Sequence, residues 1–155
     1  MPKITTGTKV PDFSLPTTGG GKWSLKDAAG KNLVIYFYPK DMTSGCTRES
    51  QDFRDLYPRF RRAGTQVVGV SRDSVASHDK FAAKESLPFP LLADTDEQLC
   101  KLFDVIKQKS LYGRKYLGVE RSTFLLDGSG RLRQEWRKVK VPGHAEEVLE
   151  AAQRL

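Results

Sequence analysis

The sequence predicts an α/β fold, a central mixed sheet flanked by helices with a hairpin at the N-terminus. Three observations carry this. Leu33-Val34-Ile35-Tyr36-Phe37-Tyr38 and Gln66-Val67-Val68-Gly69-Val70-Ser71 are apolar runs of the length of a buried strand. Between them Phe53, Leu56, Tyr57 and Phe60 recur at i, i+3, i+4 and i+7, one face of an α-helix. A strand–helix–strand unit of this kind pairs its strands in parallel through a right-handed crossover. Farther on, Gly128-Ser129-Gly130 separates the strand patterns Arg121–Asp127 and Leu132–Val139, a hairpin that adds antiparallel strands.

The remaining elements follow in order. Val10–Pro16 alternates apolar and polar between prolines, like an edge strand, and Lys22-Trp23-Ser24-Leu25 returns after a glycine-rich turn at Thr17–Gly21. That turn is no phosphate loop, because no Lys-Ser/Thr pair follows it and no helix opens from it. Lys26–Gly30 reads as a short helical turn, and Ala63-Gly64 ends the first helix. Asp73–Glu85 reads as a second helix with Val75, His78, Phe81 and Ala82 on one side, and Leu87–Leu92 as a proline-punctuated lead into a short strand. Asp94–Glu97 is an acidic helix start before Leu99, Cys100, Leu102 and Phe103; Cys100 therefore reads as a core thiol. The basic stretch 105–120, with Gly113 and Gly118, reads mostly as a loop. Pro142-Gly143-His144 opens a last helix with Val148, Leu149, Ala152 and Leu155 as its apolar stripe.

Size and composition bound the function. At 155 residues the chain reads as a single domain, 1–155, large enough to bury a core without disulfides or metals. No apolar run approaches the ~20 residues that span a bilayer. Met1-Pro2-Lys3-Ile4-Thr5-Thr6-Gly7 lacks the apolar stretch of a secretory signal. Two cysteines make no disulfide scaffold and fit a reducing cytoplasm. The net charge of +7 gathers at Arg59/Arg61/Arg62, Arg114/Lys115 and 131–140; without a recognition-helix or zinc-finger pattern it reads as solvated basic surface, with no nucleic acid expected.

The chemistry concentrates in Pro39-Lys40-Asp41-Met42-Thr43-Ser44-Gly45-Cys46-Thr47-Arg48-Glu49, the loop between the first apolar run and the first helix. Pro39 ends the strand, having no N–H for the ladder. Ser44-Gly45 supplies a capping residue and a turn, which places Cys46 at the helix N-terminus. Unpaired N–H groups and the helix dipole favour negative charge there, and so the nucleophilic thiolate. The flanking residues are polar, unlike those around an inert core cysteine. Thr43, three residues earlier, puts a hydroxyl within reach of the sulfur.

Pro39-x-x-x-Thr43-x-x-Cys46 resembles the active-site motif of the peroxiredoxins, and Tyr36–Thr47 is similar to the subgroup called bacterioferritin comigratory protein, or peroxiredoxin Q. Pro11-Asp12-Phe13, Gly69-Val70-Ser71-Arg72-Asp73 and Arg121-Ser122-Thr123-Phe124-Leu125 extend the similarity over nearly the whole chain. The resemblance implies a thioredoxin-like fold in its peroxiredoxin variant, no cofactor, and a thiol-dependent peroxidase acting on hydrogen peroxide and organic hydroperoxides. It assigns Cys46 as the peroxidatic cysteine, Thr43 as the hydroxyl bridging sulfur and peroxide, Pro39 as the shield of the site, and Arg121 as the cation holding thiolate and peroxide. The backbone N–H groups of Gly45 and Cys46 complete the donors, and Glu49 could reach back to orient Arg121.

The sulfenic acid formed on Cys46 must be resolved by a thiol. Many subgroup members carry a resolving cysteine five residues after the first; here that position is Gln51, and the following helix, 73–86, has none. A one-cysteine mechanism follows, with thioredoxin, glutaredoxin or glutathione as external reductant, and the subgroup leans toward a monomer. A Cys46–Cys100 disulfide is the alternative and needs Cα atoms within about 7 Å. Other readings fare worse. A thiol–disulfide oxidoreductase would have Cys where Thr43 stands, and a cysteine hydrolase would need a base from His78 or His144, both read as surface helix histidines. Two Cys and two His far apart form no metal-ligand pattern. A non-catalytic peroxide-sensing or nucleic-acid-binding module would rest on charge alone.

Overall fold

The computed structural model describes residues 4–155; Met1-Pro2-Lys3, the head of the segment read as lacking a secretory signal, lie outside the described residues. The strands are β1 (Ser14–Pro16), β2 (Lys22–Ser24), β3 (Asn32–Phe37), β4 (Thr65–Ser71), β5 (Leu91–Ala93), β6 (Ile106–Leu111), β7 (Arg114–Val119), β8 (Ser122–Leu126) and β9 (Leu132–Trp136). The helices are α1 (Ser44–Arg62), α2 (Val75–Glu85), α3 (Gln98–Leu102) and α4 (His144–Gln153), with a 3₁₀ turn at Leu25–Ala28. No described helix is long and apolar enough to cross a membrane.

The central sheet has the order β5-β4-β3-β8-β9. β3, β4 and β5 run parallel, while β8 and β9 join antiparallel. Both crossovers, β3-α1-β4 and β4-α2-β5, step outward in the same direction. Right-handed crossovers then put α1 and α2 on the same face. Side-chain alternation along β3 divides the core accordingly. Val34, Tyr36 and Tyr38 pack with Phe53, Phe60, Phe81, Val148 and Leu149 of the long helices. Leu33, Ile35 and Phe37 pack on the other face with Phe13, Leu15, Trp23, Leu99, Cys100 and Phe103. The N-terminal hairpin β1–β2 closes that second face and is tied to the sheet through an isolated bridge from Thr17 to Leu92.

Several expectations are corrected. The stretch 105–120 is the β6–β7 hairpin, paired from Ile106↔Val119 to Leu111↔Arg114. Its strands are charged and bury little, so they carry no period-2 apolar signal; Tyr112 and Gly113, at φ 51° and 78°, form the turn. The first helix begins at Ser44, with Thr43 as the extended residue before it, because the Thr47 N–H already bonds the Thr43 carbonyl. The Asp94–Glu97 start acts at a distance. Asp94 accepts from the N–H groups of Leu99 and Cys100 at 3.1 and 2.7 Å, and α3 itself starts at Gln98. Leu155 lies past the end of α4 and is exposed, outside the stripe formed by Val148, Leu149 and Ala152. His78 and His144 are both buried, not surface histidines. His144 sits between the rings of Phe53 and Trp136 and hydrogen-bonds Thr123 at 2.8 Å.

Candidate active site

The site forms where β3 ends. Tyr38 N–H makes the last ladder bond, to Val70 O, and Pro39 then breaks the ladder. The antiparallel register Phe37↔Ser122 sets the start of β8 beside that point, so Arg121, one residue before β8, stands against the loop that leads into α1. Residues 75 positions apart in sequence thereby meet: Arg121 Nη2 donates to Cys46 Sγ at 3.3 Å. Arg121 Nη1 donates to Glu49 Oε1 at 2.6 Å. Cys46 and Glu49 are each 1% exposed.

Cys46 is the third residue of α1, ahead of the first helical hydrogen bond. The N–H groups of Ser44, Gly45 and Cys46 therefore precede the ladder. Thr43 does not cap them; its hydroxyl donates to the Lys40 carbonyl at 2.8 Å. The helix N-terminus is thus left as a positive end facing the sulfur. Gly45 is what lets the guanidinium in: a Cβ there would lie 3.2 Å from Arg121 Nη2. A Gly45→Ala variant should gain slightly in helix stability while its peroxide reaction slows about 3- to 10-fold, since small misplacements of a reacting group are costly. Thermal melts beside stopped-flow oxidation would check this; a variant as fast as the parent would overturn it.

Burial pushes the Glu49 carboxyl up to about 7, and the charge and hydrogen bond of Arg121 keep it from rising further. Its second oxygen, Oε2, has no hydrogen-bond partner and is buried. For Arg121, burial works against the charge, but Glu49 and then Cys46 outweigh it and hold the guanidinium above its ordinary pKa. Burial pulls His144 down to about 4. These two shifts oppose each other in stability. Between 4.5, the ordinary value for a glutamate, and about 7 the folded chain keeps a Glu49 proton that the unfolded chain has lost, so stability falls as pH rises. Between about 4 and 6.5 the unfolded chain binds a His144 proton that the fold excludes, so stability rises with pH. The parent should therefore change little over the shared window, whereas Glu49→Gln should gain about 2–3 kcal/mol across it. Urea unfolding at several pH values reads this directly, and a variant that tracks the parent would refute it.

One part of the site was missed by sequence reasoning. Asp41, in the loop before Thr43, is tied down from every side. Tyr38 Oη donates to Oδ1 at 2.6 Å, Ser77 Oγ to Oδ2 at 2.8 Å, and His78 Nδ1 lies 2.7 Å from Oδ2. Its own N–H reaches Asp73 Oδ2 at 2.9 Å. His78 Nε2 in turn bonds the Leu92 carbonyl at 3.0 Å. Burial would raise the Asp41 pKa, but the bonds from His78 and Tyr38 hold it below the usual carboxylate range. Asp41, Asp73 and His78 bring one potential ligand atom each within 4.8 Å of one another, a grouping of acids with histidine that a search for paired Cys and His could not find. The facing atoms are engaged in the bonds just given, so the group acts as a clasp fastening the loop to α2 and β5.

Cys100, the second thiol, lies at 0% exposure in the core on the opposite face of the sheet from Cys46. Burial, then Asp94, pushes its pKa well up. Gln51 bridges to Glu85 on α2 at 2.8 Å. The basic run after β8 is largely used within the fold: Arg133 pairs with Asp127, and Arg137 donates to the carbonyls of Phe103 and Asp104.

A buried thiol at an open helix N-terminus, touched by an arginine that a buried carboxylate aims, is a site for thiol nucleophilic chemistry. Comparison with known proteins narrows it. The AhpC/TSA family profile matches residues 6–135. Peroxiredoxin Bcp of Xanthomonas campestris is 57% identical over 90% of this chain and 88% of its own. Peroxiredoxin Bcp of Bacillus subtilis is 50% identical over 95% and 94%. A solved structure concerned with alkyl peroxide reduction by the Xanthomonas campestris bacterioferritin comigratory protein superposes with a TM-score of 0.88 at 55% identity, covering 92% of this chain and 90% of that one. The chain belongs to the AhpC/TSA family, in the Bcp/peroxiredoxin Q group of peroxiredoxins, and is a thiol-dependent peroxidase with the thioredoxin-like fold of that group.

Proposed function

We propose that Cys46 is the peroxidatic nucleophile of a one-cysteine cycle completed by an external thiol. The observation that carries this is Arg121 bridging Cys46 and Glu49. The Cys46 thiolate attacks one peroxide oxygen in line. An S–O bond forms, the O–O bond breaks, and the second oxygen leaves as hydroxide or alkoxide and takes up a proton. Cys46 is left as sulfenic acid. Arg121 Nη2 and the N–H groups of Gly45 and Cys46 are donors aimed at the charge that develops on the oxygens. The Thr43 hydroxyl spends its proton on Lys40 O, so it offers lone pairs and accepts the peroxide O–H. Pro39 shields the strand side of the sulfur, and Glu49 is a positioning residue that aims Arg121.

Hydrogen peroxide and organic hydroperoxides are the proposed substrates, the latter supported by the alkyl peroxide chemistry of the Xanthomonas campestris relative. The reductant is an external thiol of the thioredoxin, glutaredoxin or glutathione kind. Supporting this, Cys100 is buried across the sheet and position 51 is glutamine. We read the chain as one domain, 1–155, working as a monomer in the reducing cytoplasm.

Intact mass after one equivalent of peroxide tests the cycle. A trappable sulfenic acid on Cys46 in both the parent and Cys100→Ser is the expected result. Loss of two hydrogens in the parent alone would make Cys100 the resolving thiol. A Cys46 that stays reduced would remove it from the chemistry.

A further inference from the structure

The β6–β7 ribbon stands outside the five-stranded sheet and grows directly from the active site. Its base is closed by Glu120 N–H to Val105 O at 2.7 Å, and the next residue is Arg121. The register puts Lys107, Lys109 and Leu111 on one face with Gly118, Tyr116 and Arg114; Gln108, Ser110, Leu117 and Lys115 point the other way. The first face carries three basic side chains, Lys107, Lys109 and Arg114. Gly118 opens a groove for the Lys109 stem, since a Cβ there would lie 3.2 Å from Lys109 Cδ. Burial and then Arg121 hold the Lys109 pKa down while Cys46 pulls it up, so the ammonium lies in the field of both groups.

Beyond Lys109 the ribbon is apolar, basic and uncovered. Among the described residues six large hydrophobic side chains are exposed, and Leu111, Tyr112, Tyr116 and Leu117 of this ribbon are four of them. Tyr112, at its tip, is 97% exposed. No acidic residue occurs from Ile106 to Val119. A concentration of exposed apolar surface rimmed by one sign of charge marks a protein interaction site. The sulfur beside it is recessed and has no second thiol on its side of the sheet.

We propose that the Lys109 face of the ribbon is the docking surface for the reductant, an acidic dithiol protein that it holds against Cys46. The inference rests on the peroxidatic reading of Cys46. One partner thiolate attacks the sulfenic sulfur; an S–S bond forms and water leaves once the oxygen is protonated. The partner's second thiol then attacks its own sulfur of that mixed disulfide and releases the Cys46 thiolate. Two electrons pass from the dithiol, which ends as a disulfide. The positive charge of Lys107, Lys109 and Arg114 on that face selects an acidic partner, and Leu111 and Tyr116 supply the contact.

The test uses the full-length chain, with Cys46 first oxidised by peroxide and its sulfenic acid verified by mass. Failure at that stage removes the peroxidatic reading, and the docking proposal with it. Reduction is then timed with thioredoxin and, separately, with dithiothreitol. Leu111→Ser/Arg114→Glu alters exposed side chains of the Lys109 face; Lys115→Glu alters the opposite face. The face variant should lose about 10-fold or more of its thioredoxin rate and keep its dithiothreitol rate, while Lys115→Glu loses less than about 2-fold. Unchanged thioredoxin reduction of the face variant, an equal loss in Lys115→Glu, or thioredoxin no faster than dithiothreitol on the parent would each overturn the proposal. So would a parent dimer in sedimentation that the face variant dissolves, since a second copy would then occupy the surface.

Discussion

Replacing Arg121 with alanine should slow peroxide oxidation of Cys46 by about 10²–10³-fold, the cost of removing one aimed donor from developing charge. The effect should fall on the second-order rate with peroxide and spare the binding of any reductant. Arg121→Lys should recover little of it. The two contacts at 3.3 and 2.6 Å come from separate nitrogens of one planar fork, which an ammonium cannot reproduce. A second readout separates this role from a structural one. Without Arg121 the Glu49 carboxyl loses the charge that restrains it and titrates above its present value of about 7. The folded chain then holds that proton to higher pH, so the stability of the variant should go on falling with pH beyond the point where the parent levels off. Stopped-flow oxidation and urea unfolding across the neutral range give both answers. A variant with parental rate would remove Arg121 from the chemistry.

Replacing His78 with alanine should cost about 3–5 kcal/mol, because it strands the Asp41 carboxylate where its side chain is 1% exposed. Asp41 keeps donors from Tyr38 and Ser77, which sets the lower end of that range. The loss should reach the active site as well. Asp41 lies between Pro39 and Thr43, so a released clasp frees the loop that places them, and the peroxide rate should fall together with the urea midpoint. Tyr38→Phe removes a single donor from the same carboxylate and should cost about 1.5–3 kcal/mol, a hydrogen bond to a charged group. Equal midpoints for His78→Ala and parent would show that the clasp carries no load.

How much of this was legible follows from the range of each interaction. β3, α1 and β4 announce themselves because burial on a sheet face or a helix stripe imposes a period on the residues. Val34, Tyr36, Phe53 and Phe60 show it in four positions. Cys46 was legible because its neighbours in sequence are also its neighbours in space: the open N–H groups belong to Gly45 and Cys46 themselves. Glu49 follows on the same helix turn. The β6–β7 ribbon reads as a loop because both faces of its strands mix basic and apolar residues, and strands that bury little have no reason to alternate. His78 and His144 read as surface residues because a polar ring on a helix is cheapest there; each is buried because a partner from elsewhere satisfies it, Asp41 in one case and Thr123 in the other. The capping residue shifted from Ser44 to Thr43, a difference of one residue that only the first helical bond defines.

The sequence by itself therefore determined the strand–helix–strand frame, the polar loop that ends in Cys46, and the kind of chemistry a thiol at a helix start performs. Those properties depend on residues within a few turns of one another. Tertiary structure alone decided that the loop is clasped by His78, that Cys100 lies across the sheet, and that a basic ribbon stands beside the site; it also brings Arg121 to the sulfur, a contact the family resemblance implies but no spacing of residues shows. Each of these rests on a strand register or a helix packing that joins residues 14 to 75 positions apart. No local pattern encodes such a meeting, because its energy comes from the pairing of β3 with β8 and the seating of α2, not from the residues that are brought together.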